Sequence, residues 1–155
     1  MVRFHSSSQH LIDMKKRDKI IYWIATLWMS LGMVSTGVIQ LLKQEEVVAQ
    51  MEVLGYPTYF LTIIGVWKLL GVVAILAPRW PLVKEWAYAG FFFLMSGAVF
   101  THLAVGDPAE NYFGPTLLLL LIVISWYFRP PSRRLPATMV GGPAQASKEN
   151  LNRQG

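Results

Sequence analysis

The sequence predicts an all-α fold, an integral membrane bundle of four helices with the N-terminus and C-terminus both cytoplasmic. Three observations predict it. The chain has 155 residues, of which 54% are hydrophobic and only 15% charged, well below the quarter usual for soluble domains. The apolar residues fall in four long blocks rather than in periodic stripes, and a spanning helix needs about 20 mostly apolar residues. Basic flanks alternate with acid-rich loops between those blocks, as the positive-inside rule requires. One bundle over residues 19–129 uses most of the length, with a polar tail at 1–18 and a second tail at 130–155.

The first span is expected at 20–42, after the basic run Lys15, Lys16, Arg17 and Lys19. This apolar run exceeds the 7–15 residues of a signal-peptide core and has no convincing small-residue cleavage site, so it reads as a span. Between Lys43 and Leu54, the residues Val47, Val48, Met51 and Leu54 share one helical face. They predict a short amphipathic helix lying on the bundle at the interface. Gly55 suits its C-cap and Pro57 a stop just beyond. The second span is expected at 59–76, closed by Pro78, Arg79 and Pro81, and the third at 86–105, closed by Gly106-Asp107-Pro108. The fourth is expected at 111–128, with Pro115 in its first turn, where the missing N–H is harmless. Residues 135–155 are rich in small, polar, Gly and Pro residues, a composition that predicts disorder.

The aromatic residues support this arrangement. Tyr22, Trp23, Trp80, Trp86, Tyr88, Trp126 and Tyr127 fall at the basic side, and Tyr56, Tyr59 and Tyr112 at the other. Amphipathic rings prefer these interfaces.

Composition also excludes chemistry. There is no cysteine, which rules out disulfides, thiol redox chemistry and Cys-ligated zinc or iron–sulfur clusters within this chain. The histidines are His5, His10 and His102, and the first two lie in the polar tail. An intrinsic bis-His haem inside the bilayer is therefore excluded, and one His with distant carboxylates is not a zinc pattern. No metal site and no intrinsic cofactor are expected. The net charge of +5 sits beside apolar spans, so its partner is the lipid bilayer and not nucleic acid. GxGxxG, GxxxxGK[ST], GxSxG and HExxH are all absent, and no catalytic motif is recognised.

The sharpest candidate is Lys68, in the middle of the second span and without a carboxylate in that span. A charge at mid-bilayer is costly and marks a functional site by default. Tyr59 is nine residues away, roughly 13 Å along a helix, too far for the amine to snorkel to the interface. The plainer reading is a lysine that hydrogen-bonds Ser, Thr or backbone groups of neighbouring helices. The functional reading keeps two forms open. A neutral amine can act as a base or form a Schiff base, and a charged one can hold a carbonyl oxygen or an anion. Gly65 and Gly71 lie three residues either side of Lys68, on its face of the helix, which places it on a packed seam or beside a cavity. Gly32 with Thr36, and Gly90, Leu94, Gly97 and Thr101, read as packing stripes.

His102, near the outer end of the third span, is a candidate ligand-binding or proton-relay residue because histidine titrates near neutral pH. A pocket between the second and third spans, open to the outer face, would join it to Lys68. Gln40, in the outer part of the first span, is a further candidate for ligand binding, since it can hydrogen-bond across the bundle. Asp107 precedes Pro108 and is expected to cap the next helix, and Glu85 is read as a carboxylate favouring a helix N-terminus.

Leu54-Gly55-Tyr56-Pro57, Lys68-Leu69-Leu70-Gly71, the Pro78 and Arg79 step, the run Lys84 to Phe91 and the run His102 to Pro108 together resemble the DoxX-like family of small four-helix membrane proteins. The resemblance covers about residues 19–129. It implies a multi-pass protein of the bacterial inner membrane. The family is named for a small membrane subunit associated with quinone-linked oxidation of reduced sulfur compounds. By resemblance, then, the chain is expected to be an accessory or anchoring subunit of a quinone-linked membrane oxidoreductase, with quinone as a compatible cofactor and a partner that carries the redox centre. The alternative is a stand-alone binder, transporter or enzyme for a small lipophilic molecule, with Lys68 as its polar anchor. The first span has no Asp or Glu, which argues against cation export of the small multidrug transporter kind. A third reading is a purely structural protein in which Lys68 fixes helix register. Self-association into a homo-oligomer is compatible with all three.

Overall fold

The computed structural model describes residues 16–135 and is helical throughout them, without a strand. Five α-helices follow in order: α1 (Lys16–Leu41), α2 (Glu45–Val53), α3 (Tyr59–Leu76), α4 (Pro81–Ala104) and α5 (Ala109–Tyr127), then a short 3-10 turn at Pro131–Arg133. Four of them, α1, α3, α4 and α5, are long and apolar enough to cross a membrane. The short amphipathic helix expected after the first span is α2. The tails at 1–15 and 136–155, with His5 and His10, lie outside the described residues.

The four long helices form a ring. α1 packs on α3 and α5, and α4 packs on the same two. Their outer surfaces carry Trp28, Leu31, Trp67, Phe93, Phe100 and Leu120, all more than half exposed. On a soluble protein such continuous apolar surface would be a liability; here it is the face that lipid covers. Because four crossings bring the chain back, both ends of the described chain lie at one end of the bundle. That end carries Lys16, Arg17, Lys19, Arg79, Lys84, Arg129, Arg133 and Arg134, while the opposite end carries Glu45, Glu46, Glu52, Asp107 and Glu110 beside Lys43.

The two halves of the bundle differ in packing. In the basic half the interior is filled by Met29, Met33, Val72, Ile75, Tyr88, Phe91, Met95 and Ile122. Three fully buried hydroxyls tie its helices together. Thr26 Oγ1 and Ser125 Oγ are 2.7 Å apart, and Tyr88 Oη is 2.7 Å from the same Ser125 Oγ, so α1, α4 and α5 share one hydrogen-bonded node. The other half is hollow.

Element ends follow local chemistry, with some departures from expectation. α4 begins at Pro81, five residues before the expected Trp86, because proline is pre-organised for a first helical position. Lys84 and Glu85 therefore lie within the helix, where partners on other helices satisfy them. α5 begins at Ala109, which puts Pro115 inside the helix and not in its first turn. Pro115 has no N–H to offer the Asn111 carbonyl four residues back. α2 and α4 both end in Schellman turns. Gly55 has φ +76° and Gly106 φ +75°. The Tyr56 N–H reaches Met51 O at 2.8 Å, and the Asp107 N–H reaches His102 O at 3.0 Å, the 6→1 bond of that motif.

Candidate functional site

The hollow half forms a half-open cavity of about 580 Å³, within the range of small-molecule sites. It is not confined to the space between α3 and α4. α1 and α5 wall it as well, and α2 lies over it through Glu46, Val47, Gln50 and Met51. Lys68, His102 and Gln40 all line it.

Lys68 is 4% exposed and approaches the cavity from α3. Its Nζ donates to Thr36 Oγ1 at 3.0 Å, and Thr36 Oγ1 in turn donates to Gly32 O at 2.9 Å. The amine can stand there because α1 and α3 touch through glycine. A methyl group added to Gly65 would lie 2.9 Å from the Gly37 carbonyl oxygen, and one on Gly37 would lie 3.3 Å from Lys68 Cβ. The seam expected from Gly65 is thus present, and α1 is its other side. Gly71 instead abuts the Phe91 ring of α4. One N–H of Lys68 is engaged by protein; a lysine amine has up to three, so donor capacity remains toward the cavity.

Gln40 is half-buried, and its Oε1 is enclosed without a hydrogen-bond partner among the described residues. An orphaned buried acceptor costs about 1–3 kcal/mol. Thr36 and Gln40 are one turn apart on the same face of α1. Thr36 reads from sequence as a packing partner of Gly32; the structure makes it the hydroxyl that holds Lys68, and its i, i+4 relation to Gln40 was the available signal.

His102 is 6% exposed, and its Nδ1–H donates to Asp107 Oδ2 at 2.6 Å. This overturns the expected capping role of Asp107. Pro108 occupies the N-cap of α5, and no side chain caps that helix. The Schellman turn at Gly106 folds Asp107 back over the last turn of α4, where its carboxylate meets the imidazole before it can reach α5. The bond fixes the ring and leaves Nε2 as the nitrogen available to a ligand. Replacing Gly106 by alanine is expected to cost about 1–2 kcal/mol, the left-handed penalty for a residue with a Cβ, and to loosen the His102–Asp107 pair. The thermal midpoint in detergent and the histidine ring resonances would register both effects.

Across the cavity, Tyr56 Oη lies 3.1 Å from Thr101 Oγ1 and joins the α2–α3 link to α4. Tyr56 also stacks on Phe60, with ring centroids 5.4 Å apart. Gly97 and Gly114 line the wall, and a Cβ on either would meet no atom within 4 Å. The small-residue stripe on α4 therefore does not serve helix packing at Gly97 or Gly90; at Gly97 it makes room.

Among the described residues no group of three or more His, Cys, Asp or Glu side chains could hold a metal ion. The polar set is instead an amine donor at Lys68 and the amide of Gln40, inside largely apolar walls.

Two further residues were not anticipated as important. Lys84 is 1% exposed and donates to the Ala74 and Ile75 carbonyls at 3.0 and 2.9 Å and also to that of Ala77, closing the C-terminus of α3. Arg129 is 3% exposed and pairs with Glu85. Glu85 therefore serves an ion pair and a hydrogen bond from Trp126 Nε1 at 3.0 Å, in place of the helix N-terminal role expected of it.

No curated protein and no solved structure matches this chain. A family model does, over residues 24–125, and its span takes in α1 from Ile24 onward, the α2 cover, Lys68, His102 and Asp107. With four apolar spans and a match over most of its length, the chain belongs to the DoxX-like family and is a multi-pass membrane protein.

Proposed function

We propose that the cavity binds a small lipophilic molecule bearing carbonyl or anionic oxygen, with quinone as the fitting class, and that the chain serves as an accessory or anchoring subunit of a quinone-linked membrane oxidoreductase. The observation that carries the binding reading is the juxtaposition of an amine and an orphaned amide oxygen in one apolar cavity: Lys68 and Gln40 both line it. The chain's own residues would bind and orient the molecule. Lys68 and Gln40 supply the polar contacts, and α2 limits access of water. The redox chemistry would belong to a partner, since this chain has no cysteine and a single histidine among its described residues. The basic end would face the cytoplasm of a bacterial inner membrane.

The test is purification from native membranes in mild detergent, with identification of co-purifying proteins and extracted small molecules. Expected are a stoichiometric oxidoreductase and a bound quinone. Lys68→Met should weaken retention by about ten- to a hundredfold, the worth of a charge-assisted hydrogen bond of about 1.5–3 kcal/mol. Gly97→Leu should abolish it by filling space, while both variants keep their helical circular dichroism. Equal retention in the wild type and both variants would sink the cavity as the binding site.

A second reading is a stand-alone binder, transporter or enzyme. It is favoured by the completeness of the cavity within one chain, because α2 supplies the cover a partner would otherwise provide. A lone protein carrying a lipophilic molecule lost in Lys68→Met would establish it over the subunit role.

A further inference from the structure

The basic end of the bundle holds a second concavity, about 850 Å³ in volume, lined by Arg17, Asp18, Glu85, Trp126, Arg129 and Arg134 among others. Its buried member is Arg129. The guanidinium lies over the Tyr88 ring, 5.3 Å from the centroid, and Nη2 donates to Glu85. Nε and Nη1 are enclosed and have no hydrogen-bond partner among the described residues. A guanidinium is always charged, so two donors without a partner among the described residues, at 3% exposure, carry a desolvation cost that the Glu85 pair and the Tyr88 ring offset only in part.

Negative charge is also short around it. Arg134 spends Nε and Nη2 on the carbonyls of Arg129 and Tyr127 at 2.7 and 3.0 Å. Arg17 meets Asp18 at 3.4 Å but is otherwise exposed. Lys84 and Arg133 both bind the carbonyl of Ile75, at 2.9 and 3.2 Å. Among the described residues, these five cations thus share two carboxylates, Asp18 and Glu85. The partner this arrangement lacks is an oxyanion that accepts several N–H bonds at once, as phosphate does from arginine forks.

The surroundings indicate where that phosphate comes from. Trp126 and Tyr127 are 49% and 66% exposed, and with Phe128 they line the same concavity. Exposed amphipathic rings mark the headgroup level of a bilayer, and basic pockets between helices at that level receive acidic headgroups. We propose that this concavity binds the phosphate of an anionic phospholipid, with Arg129 as the buried anchor, Arg17 and Arg134 at the rim, and the aromatic wall along the glycerol backbone.

The experiment titrates the purified full chain in mild detergent with phosphatidylglycerol, phosphatidylcholine or inorganic phosphate, and reads bound lipid by native mass spectrometry. Phosphatidylglycerol should bind at least about tenfold tighter than phosphatidylcholine, and each arginine removed should weaken it about fivefold. Arg129→Gln is the direct variant. Should it fail to fold, Arg17→Gln carries the test, because that side chain is 75% exposed. Equal affinity for the two lipids, or affinity unchanged in the folded variants, would overturn the proposal. So would inorganic phosphate occupying the site as tightly as the lipid, which would make it a site for a free anion.

Discussion

Lys84→Met should lower the stability of the bundle by about 2 kcal/mol. The Nζ of Lys84 is bonded to the carbonyls of Ala74, Ile75 and Ala77, which the end of α3 leaves without helical partners. Removing it leaves the part-buried Ala74 and Ala77 carbonyls without this donor and Ile75 O with Arg133 alone, and each stranded acceptor costs about 1 kcal/mol or more. It also removes a cation from the negative end of a helix dipole, about 0.3–1 kcal/mol. Against this stands relief of repulsion from Arg129 and Arg133, a term the Arg129–Glu85 ion pair holds to about 1 kcal/mol. The acceptors win. Lys84→Arg should not rescue, because a planar fork cannot point at three carbonyls around one atom. Denaturant or thermal midpoints in detergent measure both variants, and an unchanged midpoint would mean that water replaces the amine at no cost. The same substitution at Lys68 should leave stability nearly unchanged. Lys68 has one protein partner, Thr36, whose hydroxyl keeps its own acceptor at Gly32 O, and a methionine there removes a buried amine. Two buried lysines, exchanged for the same residue, should separate a structural lysine from a binding one.

Gly65→Val should cost about 1–3 kcal/mol, the usual range for overpacking, and should also impair the cavity. A Cβ at this position lies 2.7 Å from Leu41 Cγ and 2.9 Å from Gly37 O. The leucine can turn aside, but the carbonyl belongs to the α1 backbone and cannot. α1 must back away from α3, and the Lys68–Thr36 bond spans that same seam. The expected result is a lower thermal midpoint together with weakened ligand retention. Gly97→Ala is the matched comparison. Its added methyl meets nothing within 4 Å, and alanine is the better helix former by about 1 kcal/mol. If both variants behaved alike, α1 and α3 would not be held by close backbone contact.

What the sequence made legible was whatever a single helix decides. Long apolar blocks gave the four spans, and the spacing of Val47, Val48, Met51 and Leu54 gave α2. Gly55 announced its turn because a positive φ is costly for other residues. Lys68 stood out because nothing in its own span could neutralise it. What was hidden depends on two helices at once. Lys84 and Glu85 were expected just ahead of the third span, with Glu85 favouring its N-terminus, yet the end of α3 and the start of the C-terminal segment satisfy both, and α4 runs through them. Asp107 looked like a cap because Pro108 follows it. The turn at Gly106 decides otherwise, by carrying the carboxylate onto His102. The cavity was expected between two spans, and its cover by α2 and its walls from α1 and α5 emerge only when the ring of helices is closed.

α2 is nine residues long and contributes no buried residue, although it lies over the cavity. An element with so little buried contact opens at small free-energy cost. If the proposed site holds a molecule through Lys68 and Gln40, those contacts belong to the long helices α3 and α1. Residence time and equilibrium affinity would then be under largely separate control: changes in α2 that spare Glu46, Val47, Gln50 and Met51, which line the cavity, would alter entry and exit rates together and leave their ratio nearly untouched.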